Sequence, residues 1–242
     1  MRIINKCLSE FYPTHPSDTV VKNEFYPRGL TEKQIYQYYL SIKDKMLKWI
    51  DGRNVAFLIK VSNDQTVMIR NQRGHPIYLN SENFEDLITG RTNVVYVTHP
   101  ELTTYWIVDI DVGPNLTMKH CQYALKILEH ELEIDKIDNL GTSHYETLIT
   151  SPKGVHLIGH LKHGSNIDLL RAGLKNELEK VILDVNQKSK IKFTVNVKGR
   201  LPNKINFDLS SMYQNSLHIC KYSLTKEFLI CDNIEKGIKK VS

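Results

Sequence analysis

The stretch "YWIVDIDVGP", residues 105–114, decides the reading of this chain: an apolar run, closed by Gly113-Pro114, that an acid interrupts twice. In a strand, residues two apart project from the same face, so Val108, Ile110 and Val112 point into a core while Asp109 and Asp111 point the other way. Two ionised carboxylates side by side repel, and each is costly to bury. A divalent cation between them removes both objections, and hard oxygen ligands suit magnesium or manganese. An Asp-x-Asp also arises by chance, so its meaning depends on what accompanies it.

Two other stretches do. "KINFDLSS", residues 204–211, repeats the pattern, with Ile205, Phe207 and Leu209 on one face and Asn206, Asp208 and Ser210 on the other. Three carboxylates on adjacent strands are what a two-metal site needs, with ions about 3.5–4 Å apart. "TSPKGVHLIGHL", residues 150–161, reads as two strands joined by a tight turn. There Ser151, turn amides and the Lys153 ammonium suit a triphosphate, and His156 could donate to a phosphate or sugar oxygen. The plain alternative is a hairpin turn with a solvated lysine. His156, His160 and His163 invite a zinc reading, but no set of Cys or His completes four ligands.

Outward from these motifs, 242 residues suit one large domain or two small ones, and 41% hydrophobic with 24% charged residues is ordinary for a globular chain. The net charge of +5 leans weakly towards acidic partners, nucleic acid among them. Cys7, Cys121, Cys220 and Cys231 are scattered, with no C-x-x-C, which argues against a disulfide framework or zinc knuckle. The N-terminus lacks a signal-peptide h-region and no run of about 18 apolar residues could span a bilayer, so the expectation is a reduced, cytoplasmic compartment.

Residues 1–30, with prolines at 13, 16 and 27, read as an extended arm, and residues 31–242 as the core of a single domain. Thr31 caps and Gly52 stops a helix that places Ile35, Tyr38, Tyr39, Ile42, Met46 and Trp49 at three- and four-residue steps. "NVAFLIKVS", "TVMIRNQ", "NVVYVTHP" and "EFLICDN" read as strands, and residues 116–133 as a helix. A second long helix spans 166–185, with Ile167, Leu170, Leu174, Leu178, Val181 and Val185 on one face. Strands and helices are mixed rather than strictly alternating, which favours α+β around a largely antiparallel sheet. Tyr36, Tyr38 and Tyr39 default to packing, and the lysine-rich segments 41–48 and 186–193 to solvated faces, with nucleic-acid contact as the sharper reading.

Taken in order, "VDIDV", "SPKGVH" and "INFDL" resemble the three motifs of the archaeo-eukaryotic primase superfamily, and most closely the primase-polymerase domain of bacterial end-joining ligases of the ligase D type. "EFYPRGLTEKQIYQYYLSI" is similar to that family's opening signature, "VYVTHP" to its histidine-proline element, and "CKYSLTK" to its Tyr-Ser-x-Arg segment. The resemblance implies a fold of two parts, an α/β subdomain and a modified RNA-recognition-like subdomain. It implies template-directed nucleotidyl transfer from NTPs or dNTPs, as a primase or gap-filling polymerase in end-joining repair or replication priming. Asp109, Asp111 and Asp208 would hold two Mn2+ or Mg2+ ions, and His99, Ser151, Lys153 and His156 would grip the incoming nucleotide. Lys22, or Lys33, stands near the position that holds a downstream 5′-phosphate. The DNA partner would be a primer-template, gap or broken end, with a separate ligase and end-binding protein supplying the rest.

The chain departs from the family in places. The Ser-to-His loop is one residue shorter, with Pro152 in it, and Thr225 stands where a triphosphate-binding arginine is expected, leaving Lys221 or Lys226 to substitute. Met212 falls where an asparagine is frequent, and the basic residue of an early strand corresponds loosely to Arg70. A metal-dependent nuclease, or a non-catalytic DNA-end-binding module, remain as alternatives.

Overall fold

A computed structural model describes residues 16–22, 29–62, 65–72, 74–133, 140–151, 154–197 and 201–224. The chain divides into two compact units: residues 1–98 with 217–242, and residues 99–216. The second unit is thus an insertion into the first.

In the first unit β1 (Val20–Val21) pairs antiparallel with β2 (Leu30–Thr31), giving the end of the expected N-terminal arm a partner. Thr31 then caps α1 (Glu32–Ser41) through a reciprocal capping box with Gln34. The expected single helix breaks at Ile42 and resumes as α2 (Lys43–Ile50). The break follows from local competition: the Ser41 hydroxyl donates to the Tyr38 carbonyl at 2.6 Å, and the Ile42 N–H turns to the Tyr39 carbonyl three residues back. Asp51 and Gly52, both at positive φ, end the second segment.

Next come β3 (Asn54–Lys60), β4 (Thr66–Ile69), β5 (Asn71–Gln72), β6 (His75–Tyr78), α3 (Phe84–Leu87) and β7 (Thr92–Thr98). The run "TVMIRNQ" is therefore two strands parted at Arg70. All pair antiparallel, in the order β7–β3–β6–β5 with β4 on β3. Alternation sends Val55, Phe57 and Ile59 into a core with Ile35, Tyr39, Met46, Ile50 and Phe84. The three tyrosines of α1 serve packing: the Tyr36 and Tyr38 hydroxyls donate to the Glu85 and Tyr222 carbonyls, and that of buried Tyr39 accepts from the Leu224 N–H.

The inserted unit runs β8 (Leu102–Val112), α4 (Met118–Glu133), β9 (Thr142–Ser151), β10 (Gly154–Asn166), α5 (Ile167–Lys188), β11 (Lys192–Val195) and β12 (Lys204–Asp208). Its sheet order is β11–β12–β8–β10–β9. Without β11, this is the split β-α-β-β-α-β arrangement, antiparallel throughout, with the first and third strands central. β11 adds a parallel edge beside β12. Trp106, Val108, Ile110 and Val112 of β8 pack with Ile205 and Phe207 of β12 against the apolar faces of α4 and α5. The expected face of α5 is the one used: Ile167, Leu170, Leu174, Leu178 and Val181 are buried. The chain then returns to the first unit, where β13 (Leu217–Ile219) pairs with the free edge of β7. The fold is the mixed, antiparallel-rich α+β class. The expected strand at 227–233 lies outside the described residues. No described helix is long and apolar enough to cross a membrane.

Candidate active site

The helices cover one face of the inserted unit's sheet, and the opposite face collects the acids. β8 is central because its even-numbered residues supply the apolar rib that both helices need; Asp109 and Asp111 are thereby forced to the other side. β12 pairs antiparallel with β8 in a register that sets Asp208 opposite Asp109 and Asn206 opposite Asp111. β10 pairs on the other side, setting His156 opposite Asp109 and Gly154 opposite Asp111. Residues directly opposite share a face, so Asp208, Asp109 and His156 form a row across three adjacent strands, with Asp111 one step beyond.

This row is held from beneath and from its ends. Gly113 donates its N–H to the Lys204 carbonyl, and a β-carbon there would stand 2.0 Å from the Leu201 oxygen, so only glycine lets the entry to β12 approach β8 this closely. Asp208 Oδ1 accepts from the Ser210 N–H at 2.7 Å, an Asx turn that terminates β12. Asn196, at φ 53°, accepts from the Leu209 N–H at 2.8 Å and gives its own N–H to the Phe207 carbonyl. Buried Asn206 is anchored by its side chain to Thr194 and to both polar groups of the Val197 backbone. Asn196 and Asn206 are supports whose role motif matching did not single out; for Asn206 a polar residue inside an otherwise apolar strand is the signal in the sequence, whereas Asn196 follows β11 and carries none.

Among the described residues the electrostatics around Asp109 are unbalanced. His156 Nε2 stands 3.5 Å from Asp109 Oδ2. Asp109 Oδ1 and His156 Nδ1 are both buried, and neither has a hydrogen-bond partner among the described residues. An orphaned buried polar atom costs about 1–3 kcal/mol, and two carboxylates directly opposite on neighbouring strands repel. Natural structures keep such arrangements where an ion or ligand completes them.

As the side chains stand, no group of three His, Cys, Asp or Glu among the described residues is gathered closely enough to hold a metal ion. The donor set still fits a hard divalent cation: carboxylate oxygens on one face, one of them orphaned, with the backbone register already aligning their origins.

The other expected residues divide. Ser151 ends β9 and pairs with Gly154, so the hairpin and its Ser-to-His connection exist; Lys153 lies outside the described residues. His99 is buried and its ring stacks on Tyr105 at 4.8 Å. Tyr105 shares the aspartate face, four residues before Asp109, about 13 Å along the strand. In the first unit, Lys22 directly follows β1 and Lys33 lies in the first turn of α1, both exposed and both leaving the same small sheet. Lys221 sets its ammonium over the rings of Trp49 and Tyr222, at 5.6 and 5.8 Å; Thr225 and Lys226 lie outside the described residues. Arg70 is exposed at the end of β4. Met212 is fully buried in the inserted unit's core. The zinc reading finds no support: His160 instead faces Glu146 at 3.0 Å and stacks on His144 at 4.3 Å.

No protein-family model matches the chain, and no curated protein matches it by sequence. Among solved structures it is similar to the polymerase domain of Mycobacterium tuberculosis ligase D in complex with DNA. The TM-score is 0.62 with 18% identity, over 88% of this chain and 84% of that one. The fold expected from the three motifs is therefore the fold observed.

Proposed function

We propose that the chain is a nucleotidyltransferase of the primase-polymerase kind, adding nucleotides to a nucleic-acid 3′ end, with DNA ends or gaps as its substrate. One observation carries the reading: three chain-distant residues, Asp109, His156 and Asp208, stand in register on adjacent strands, with a buried carboxylate oxygen left without a partner. Fold similarity to a polymerase domain solved in complex with DNA supports the class of reaction.

In this reading Asp109, Asp111 and Asp208 hold divalent cations, which when bound supply Lewis acidity for transfer of a nucleotidyl group with pyrophosphate leaving. The protein's own groups do the positioning. His156 backs Asp109 and fixes the orientation of its carboxylate. Gly154, opposite Asp111, leaves that side of the row without a side chain. The Ser151 hydroxyl and the Lys153 ammonium would serve as donors to phosphate oxygens. The Asn196, Asn206 and Ser210 contacts hold Asp208 at the end of a rigid strand, as precise chemistry requires.

The experiment is extension of primed and gapped DNA with Mn2+ and labelled ribo- or deoxynucleotides. Elongation is expected, abolished in Asp109→Ala and Asp208→Ala with the circular-dichroism spectrum retained. Shortening of the substrate without added nucleotides would assign a nuclease instead. Binding of DNA without turnover, indifferent to both substitutions, would assign a non-catalytic end-binding module.

A further inference from the structure

Where β12 ends, the inserted unit holds two buried polar atoms that no described residue satisfies. One is Nη1 of Arg171, in the second turn of α5; the other is the Ser211 hydroxyl, in the single 3-10 turn Ser210–Met212 that follows Asp208. Orphaned polar atoms destabilise a fold, and each one that a native structure keeps calls for an explanation. The other contacts of the guanidinium supply one. Its carbon stands 3.5 Å from the centre of the Tyr213 ring, and Nη2 reaches Asp168 Oδ1 at 3.2 Å. A planar cation lying on an aromatic face is an arrangement that arginine makes and lysine does not reproduce. Tyr213 is half exposed, so this contact is not core packing.

The Tyr213 ring belongs to the segment that ties two candidate site residues together. At one end of it Asp208 accepts from the Ser210 N–H at 2.7 Å. At the other the Asn215 N–H donates to the His99 carbonyl at 3.0 Å, and the His99 N–H to the Ser216 carbonyl at 2.9 Å. Residues 208–216 therefore join the third carboxylate to the backbone of His99, and Tyr213 lies between the two attachments. Met212 sinks the turn into the core, and Gln214 adds an exposed contact with Glu101 at 3.4 Å. The stack on Arg171 is what fixes the segment to α5.

We propose that Arg171 is a positioning residue of the carboxylate site: by stacking on Tyr213 it fixes residues 208–216, and through them the Asp208 carboxylate and the backbone of His99. This role rests on Asp208 being a cation ligand, as proposed above. Arg171 neither touches the carboxylate row nor belongs to any of the three motifs. Its unsatisfied Nη1 follows from a guanidinium held flat on the ring instead of turned towards an acceptor.

The test titrates the full chain with Mn2+ by calorimetry, well below its melting temperature, beside amide hydrogen exchange of residues 208–216. Losing an outer-shell partner of a metal ligand weakens binding by about 10–100-fold, and Arg171 acts at one further remove. Arg171→Met and Tyr213→Leu should therefore each weaken Mn2+ binding by about three- to tenfold. Both should speed exchange at the Ser210 and Asn215 amides. Because the two side chains act as one contact, the double variant should bind no worse than either single one. Tyr213→Phe keeps the ring and should bind as the wild type does. Arg171→Met and Tyr213→Leu proteins that melt lower yet bind Mn2+ with wild-type affinity would make the stack purely structural and overturn the proposal. Additive losses in the double variant would overturn it too. A wild type that takes up no Mn2+, or an Asp208→Asn protein that binds it equally well, would instead remove the cation reading of the row, and this role with it.

Discussion

Replacing Asp109 by Asn should stabilise the metal-free protein. Asp109 is about a third exposed, with one carboxylate oxygen buried and unpartnered, and faces Asp208 across a register pair. Two unit charges about 6 Å apart repel by about 0.7–2.8 kcal/mol for effective dielectric constants from 80 down to 20, and partial exposure favours the lower half of that range. Removing one charge also relieves part of the desolvation of the orphaned oxygen, so the net gain is about 1–2 kcal/mol. For a chain of this length that is a rise in Tm of about 3–6 °C. Scanning calorimetry in chelator, then with Mn2+, reads it directly. At a Mn2+ concentration ten times Kd the wild type should recover about 1.4 kcal/mol that Asp109→Asn does not, closing or reversing the gap. The reasoning is refuted if Asp109→Asn is the less stable protein in chelator, or if Mn2+ raises both melting points equally.

The core and the first unit yield further expectations. Phe207→Ala empties a fully buried site between β12 and the helices and should cost about 3–5 kcal/mol in denaturant unfolding. A β-carbon at Gly159 would stand 2.1 Å from the Trp106 ring, so Gly159→Ala should destabilise by about 1–3 kcal/mol and alter the near-UV circular dichroism of that indole. Burial pushes the Glu32 carboxyl up, but hydrogen bonds from Ser17 and Arg91 and the Arg91 charge outweigh it, holding the group below its ordinary value. Its contribution is therefore complete above the ordinary glutamate range, near pH 4.3, and is lost as pH falls through the depressed value. Glu32→Gln should lower stability at neutral pH and flatten its decline on acidification, read as Tm against pH.

The central carboxylate strands and the long helices were legible in the sequence because each combines strong periodicity with length. Eleven residues of β8 alternate around a rib of Trp106, Val108, Ile110 and Val112, and α5 repeats an apolar face over 22 residues. Short edge elements were not legible: β11, inside a lysine-rich segment, and three-residue β13 carry no pattern long enough to register, and their strand character comes from the neighbour they pair with. Ile42 fits the helical spacing perfectly well; the break there is made by the Ser41 hydroxyl, a competition that spacing does not encode. Order of motifs led to the expectation that Asp208 would meet Asp109, and the β12–β8 register sets their backbones opposite one another.

Manganese binding, followed by the loss of the free-ion electron paramagnetic signal, bears most directly on whether the row of acids is a cation site. The wild type should take up Mn2+, and Asp109→Asn and Asp208→Asn should each weaken uptake by about tenfold or more, since even loss of an outer-shell partner has effects of that size. Equal uptake by all three proteins would contradict the account.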